Sequence, residues 1–360
     1  MEPFVYVGTY TGPGKAEGIY AYRYNRDTGA LTHAHTVKGV DSPSFLALDR
    51  EQRRLYAVNE RSAPRGEHSG GVSAFSVDQQ TGNLSLLNSQ PTRGNSPCYV
   101  SVDPSGRCAM VANYGTGSVA VFPIRSDGSL GAVSDFVQHD GRSSNPRRQE
   151  GPHAHSILPT PDGRYVLSCD LGIDRVLIYT LDVELGKLAP NALPFAQVSS
   201  GAGPRHIAFH PNGRFVLVNN EIDSTLSVFA YDGERGALQI VDTVSSLPDD
   251  VHGPAIRNST AHVTVHPSGR FAYVSNRGHH SLAIYAFGEE TGRVKLVGHQ
   301  STQGETPRGY NLDPAARFLL AANQNSNTIV SFKVDGDTGR LTPTGHVTEV
   351  PAPVCVIFTR

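Results

Sequence analysis

The 360-residue chain carries 31 basic against 33 acidic side chains, a formal net charge of −2 with no basic stripe, which excludes a nucleic-acid or anionic-membrane partner. Its 37 glycines and 24 prolines separate short apolar runs, none near the roughly 18 residues of a membrane span, so many strands joined by tight turns are expected in place of helices. Four cysteines without CxxC or framework spacing, and a start (MEPFVYVGTY) without a basic-then-apolar leader pattern, lead to the expectation of free thiols and a cytoplasmic protein.

In chain order, FVYVGTY (4–10) and IYAYRY (19–24) alternate as strands do and run into the turn RDTGAL (26–31). SPSFLALDREQRRLYAVNE (42–60) follows, a strand, a turn and a second strand. The same plan returns as SPCYVSVDPSGRCAMVANY (96–114), HSILPTPDGRYVLSCDL (155–171), GPRHIAFHPNGRFVLVNNE (203–221), TAHVTVHPSGRFAYVSNR (260–277) and TPRGYNLDPAARFLLAANQ (306–324). After these hairpins come third strands such as TLSVFAY and SLAIYAF. Turns resembling RDTGAL recur at 78–84, 289–294 and 335–341, with glycine supplying a positive φ.

An arginine followed by an aromatic or apolar residue opens the second strand at Arg54, Arg107, Arg164, Arg214, Arg270 and Arg317, a repeat of about 50 residues. Those are six units. The seventh is split between the two chain ends, because FVYVGTY matches a second strand and APVCVIF (352–358) supplies the missing first one. A closed ring explains that permutation and an open solenoid does not. The expected architecture is all-β: one domain over 1–360, a seven-bladed β-propeller of four-stranded antiparallel blades, its C-terminal strand pairing with the N-terminal blade. With no tryptophan there is no WD dipeptide, which disfavours the WD40 scaffolds.

In such a ring the first strand of each blade lines the channel, so equivalent positions can be compared. At the place of Arg205 stand Ser44, Cys98, His155, Ala261, Arg308 and Val354; at the place of Glu221 stand Tyr10, Glu60, Tyr114, Leu171, Arg277 and Gln324. Positions that serve the repeat should look alike, and these do not. His155, Arg205, Glu221, Arg277 and Arg308 form a charged sector, read as a ligand site for an anion, with an internal ion network as the bland alternative. His153, His206 and Gln324 join it as substrate-binding candidates. Insertions at 61–71, 141–152 and 249–259 fall on the same face. Glu221 or His155 would act as general base, and the arginines would hold a carboxylate or phosphate and a developing oxyanion.

YVGTYT (6–11), GIYAYRYNRDTGAL (18–31), GPRHIAFHPNGRFVLVNNE, HPSGRFAYVSNRG (266–278) and TPRGYNLDP (306–314) together resemble the seven-bladed lactonase propellers, a family that includes bacterial 6-phosphogluconolactonases and the fungal carboxymuconate-lactonizing enzyme. The resemblance spans essentially the whole chain. It implies hydrolysis of a sugar-derived δ-lactone, 6-phosphogluconolactone first, with no metal or other cofactor, in the pentose phosphate pathway. It carries the family's cleft histidine, glutamate and two arginines onto His155, Glu221, Arg205 and Arg277, with His153 competing because GPHAHSILPTP has one residue more than its sisters. The alternatives are a lactone-forming cyclase and a propeller that binds a ligand or protein without turnover. Beyond an anionic lactone no partner is expected, and the chain is read as a monomer or weak homo-oligomer. His33-x-His35, His153-x-His155 and His279-His280 lack an evident third metal ligand, and Cys98 reads as a buried inert thiol.

Overall fold

The computed structural model describes residues 3–63, 69–251 and 257–360. Its regular structure is strand, with no helix among the described residues. Seven antiparallel sheets of four strands follow one another around a ring. The first sheet joins Phe4–Thr9, Gly18–Tyr24 and Leu31–Lys38 to the C-terminal strand Pro353–Phe358, which pairs with Phe4–Thr9. Inner strands pack on those of both neighbouring blades, and Pro353–Phe358 touches the inner strands of blades two and seven. The ring is thereby closed by hydrogen bonds between the two ends of the chain.

Alternation places one face of each strand against the preceding blade and the other against the next, so the core divides into seven apolar clusters, one per blade interface. Phe215, Leu217 and Val228 meet Val263, Val274 and Tyr285 between blades five and six. At the closing seam Val5, Tyr22 and Tyr24 meet Phe318, Leu320, Val356 and Phe358. Each such side chain contributes about 1.5–3 kcal/mol on full burial.

The recurring arginine is a latch between blades. Arg54 donates to the Asp127 carbonyl, Arg164 to that of Gly233, Arg214 to that of Glu289 and Arg317 to that of Arg26, each in the outer turn of the following blade. Arg107 pairs with Glu184 and Arg270 with the Gly336 carbonyl in the same way. The aromatic beside the latch explains the glycine of that turn. At Gly292, φ is +71°, and a Cβ would stand 2.4 Å from the Phe215 ring.

The hairpins of first and second strands are less regular than simple alternation suggests. In six blades the pairing shifts next to the first residue of the inner strand, as between Pro204↔Asn220 and His206↔Asn219. The residue set free by each bulge is Val354, Cys98, His155, Arg205 or Arg308, and in blade six the pair Ala261 and His262. A bulge re-aims its side chain, and these are the positions at which the blades differ in sequence.

Ending the chain at Val350 removes the strand that closes the ring. Thermal unfolding followed by circular dichroism should lose its single cooperative transition; a truncated chain that melts like the full one would contradict the closure.

Candidate active site

Glu221 directly follows the second strand of blade five, Phe215–Asn220, and its amide donates to the Gly203 carbonyl at 2.7 Å, fixing the residue beside the start of the inner strand that carries Arg205. Its carboxylate is buried and takes three guanidiniums. Arg205 Nε donates to Oε2 at 2.8 Å and Arg148 Nη2 to Oε1 at 2.6 Å, while Arg277 Nη2 forms an ion pair with Oε2 at 2.9 Å. His155 Nε2 lies 3.8 Å from Oε2. Burial alone would raise the Glu221 carboxyl, but the charges of Arg277 and Arg205 outweigh it and hold the group well below its usual range. Burial, then the Arg205 charge, holds His155 well below the usual imidazole range, so it is neutral at pH 7. Burial with Arg277 and Arg308 nearby draws Arg205 down to about 9, still charged at neutral pH.

The cleft above this carboxylate has a volume of about 370 Å³ and is walled by Tyr10, Glu60, Tyr114, Arg148, His155 and Arg308, with Cys98, Glu221, Ser259 and Arg277. Glu60 accepts from Tyr10 at 3.0 Å and from the Ser44 hydroxyl. Arg308 stacks its guanidinium 5.2 Å over the Tyr10 ring and makes no hydrogen bond or ion pair with a described residue. Arg148, Arg277 and Arg308 of the lining, with Arg205 beneath them on Glu221, against Glu60 and Glu221 leave two positive charges unbalanced across the cleft and the layer below it. A larger groove of about 770 Å³ at the opposite end of the ring, by Tyr24, Asp49 and Arg360, has no comparable buried charge cluster.

Glu221, His155, Arg277 and Arg308 therefore meet in one cleft, and four other candidates lie elsewhere. Arg205 sits beneath Glu221 with its Nη1 on the Ala261 carbonyl and beside the His206 ring; it lines a chamber of about 70 Å³ under the cleft, not the cleft, so its expected bidentate grip on a ligand gives way to a grip on Glu221. His206 lines that lower chamber too, 2.8 Å from His262. The buried contacts of the Arg205 guanidinium with Glu221, with the Ala261 carbonyl and with the His206 ring hold both side chains below the cleft. His153 stacks 4.6 Å from Tyr114 and donates to its carbonyl at 2.9 Å, behind the wall that His155 faces. Gln324 lines a neighbouring groove, divided from the cleft by Tyr10, which borders both.

Sequence reasoning missed Arg148, although its insertion was placed on the correct face. The insertions 61–71 and 249–259 lie partly outside the described residues. Tyr10, Glu60 and Tyr114, at the positions equivalent to Glu221 in other blades, also line the cleft. The Cys98 thiol is pushed up by burial, 3.5 Å from His155 Nδ1. Among the described residues no group of three His, Cys, Asp or Glu side chains gathers as metal ligands would.

The family description "Lactonase, 7-bladed beta-propeller" matches residues 4–358. A 6-phosphogluconolactonase of Bacillus subtilis is 37% identical over 353 residues, 98% of this chain and 97% of its own length. One from Formosa agariphila is 30% identical over 313 residues, covering 86% of each chain. The structure of a periplasmic gluconolactonase of Pseudomonas aeruginosa superposes with a TM-score of 0.93 at 32% identity, covering 100% of this chain and 99% of that one.

Removing the Glu221 charge strands three guanidiniums in a buried space. Glu221→Gln should cost about 3–5 kcal/mol of stability, and added phosphate should restore more of the melting temperature in the variant than in the wild type. Equal anion effects in both proteins would show that the carboxylate is not what balances the arginines.

Proposed function

Because the chain belongs to the seven-bladed β-propeller lactonase family, we propose that it hydrolyses 6-phosphogluconolactone to 6-phosphogluconate, by a mechanism that uses no metal, in the cytoplasm. The observation that carries the choice of substrate is the unbalanced pair of positive charges with Arg308 left unpaired over Tyr10. A phosphate monoester carries about −1.5 to −2 at pH 7, the charge that the cleft lacks. The curated relatives named above are 6-phosphogluconolactonases, which supports the same substrate. The gluconolactonase neighbour has an unphosphorylated sugar acid lactone in its name, and that substrate is the second reading. Four buried free thiols support a reducing compartment.

Of the two candidate bases, Glu221 is already saturated by guanidiniums, whereas His155 is neutral and faces the cleft. His155 Nε2 takes a proton from a water molecule as the water oxygen bonds to the lactone C1. Arg277 and Arg148 face the oxyanion that forms there, and Glu221 stabilises the imidazolium. The C1–O5 ring bond then breaks, the imidazolium returns its proton to the leaving oxygen as a hydroxyl, and the new carboxyl group releases the second proton of the water. Arg308 holds the phosphate, and Arg205 holds Glu221 ionised from below.

Proton release measured against the spontaneous rate should show acceleration that survives a chelator, and His155→Asn should lose about 100- to 10,000-fold. Arg308→Ala should raise KM for the phosphorylated lactone and leave that for glucono-δ-lactone nearly unchanged; an equal effect on both would favour the unphosphorylated substrate. Since the base works neutral and its pKa is lowered, kcat/KM should stay level as pH falls through 6.5 and decline only below it. A decline centred at or above 6.5 would exclude His155 as the base.

A further inference from the structure

The loop 141–152 contains no strand, yet its chain is tied down at named points. Gln149 is fully buried: its backbone N–H donates to the Asn145 carbonyl at 2.8 Å, and its Oε1 accepts from the Asn145 N–H at 3.0 Å. Its Nε2 donates to the Leu171 carbonyl at 2.8 Å and to Asp174 Oδ1 at 2.7 Å. Asp174 Oδ2 accepts from the Ser143 hydroxyl of the same loop. The other two donors on this buried carboxylate are backbone N–H groups on the approach to Arg205, Gly203 on Oδ1 and Gly201 on Oδ2, both at 2.7 Å. Gly203 is also the residue whose carbonyl receives the Glu221 amide. One carboxylate thus joins the loop that bears Arg148 to the backbone that holds Glu221.

The repeat serves as an internal control. Asp174 occupies the left-handed last place of a four-residue turn, φ +55°, and the same place holds Ser224, His280 and Asn327 in the next three blades, φ +59°, +55° and +56°. The turn requires a left-handed residue and does not require an acid. The acid appears in the blade next to Glu221. Arg148 is a long side chain, 40% exposed, which would otherwise lose considerable freedom in reaching a fixed partner.

We propose that Asp174 is a positioning residue for this cleft, holding the 141–152 loop so that Arg148 reaches Glu221 and the bound anion. Its kinetic consequence rests on the lactonase reading above; the anchoring itself does not. Asp174→Asn keeps a residue that tolerates the left-handed turn but aims an NH₂ group at neighbouring donors.

Two readouts test the proposal. Native-state trypsin cleavage after Arg147 and Arg148 should speed up about tenfold or more in Asp174→Asn, as expected for a loop released into local opening, while the protein still melts cooperatively. The value of kcat/KM should fall about 10- to 100-fold, the scale of an ångström-sized misplacement, and in an Arg148→Ala background the same substitution should cost less than about twofold, the coupling of residues that act through one another. An unchanged cleavage rate, or losses that multiply in the double variant, would overturn it. Should Asp174→Asn fail to fold, Gln149→Met combined with Ser143→Ala leaves Asp174 on Gly201 and Gly203, cuts both ties from the loop to that carboxylate, and must give the same two results. If the wild type accelerates no lactone hydrolysis, the lactonase reading falls while the cleavage experiment still decides the anchoring.

Discussion

The Glu221 carboxylate under three guanidiniums is the constraint on which the site depends. A buried carboxylate is costly, and so is a buried guanidinium, so neither would persist without the other. The pairing holds Glu221 ionised, and the ionised Glu221 keeps Arg205, Arg277 and Arg148 within one small volume. Arg308 lies outside that arrangement and leaves the cleft with positive charge that its own residues do not neutralise. On the proposed function an anionic substrate supplies the missing charge, and recognition and catalysis then rest on the same electrostatic imbalance.

The fold makes the arrangement possible by separating what repeats from what varies. Apolar clusters and arginine latches recur at the blade interfaces and hold the ring. The bulged inner residues and the ends of the second strands face the channel and are free to differ. His155, Arg205 and Arg308 occupy the same bulge position in three blades, while Glu60, Glu221 and Arg277 occupy the same strand-end position in three. Neighbouring blades thereby place an acid, an imidazole and cations within a few ångströms, although they are far apart in sequence.

The repeat was legible because strand alternation and turn glycines are local signals, and the split seventh blade revealed the closure at APVCVIF. The charged sector was legible for the opposite reason, since it broke the repeat. What stayed hidden depended on bulges and on long-range hydrogen bonds. The blade position shared by His155, Arg205 and Arg308 does not say which way each side chain turns, and Arg205 with His206 borders the chamber beneath the cleft because its guanidinium grips Glu221 and the Ala261 carbonyl. Arg148 lies in a segment without periodicity, and only the Asp174 and Gln149 contacts show where it points. His153 and His155 differ by two residues, yet the bulge at His155 gives them different surroundings.

On the proposed function this cleft takes a phosphorylated sugar acid lactone with its reacting carbonyl beside His155 and its phosphate on Arg308. The most direct measurement is a crystal structure with 6-phosphogluconate, the product of the proposed reaction. The phosphate should lie against Arg308 and Tyr10, and the C1 carboxylate within hydrogen-bond reach of His155 Nε2 and of Arg277 or Arg148. A product seated instead in the groove beside Gln324, or bound in the cleft with its phosphate turned away from Arg308, would contradict it.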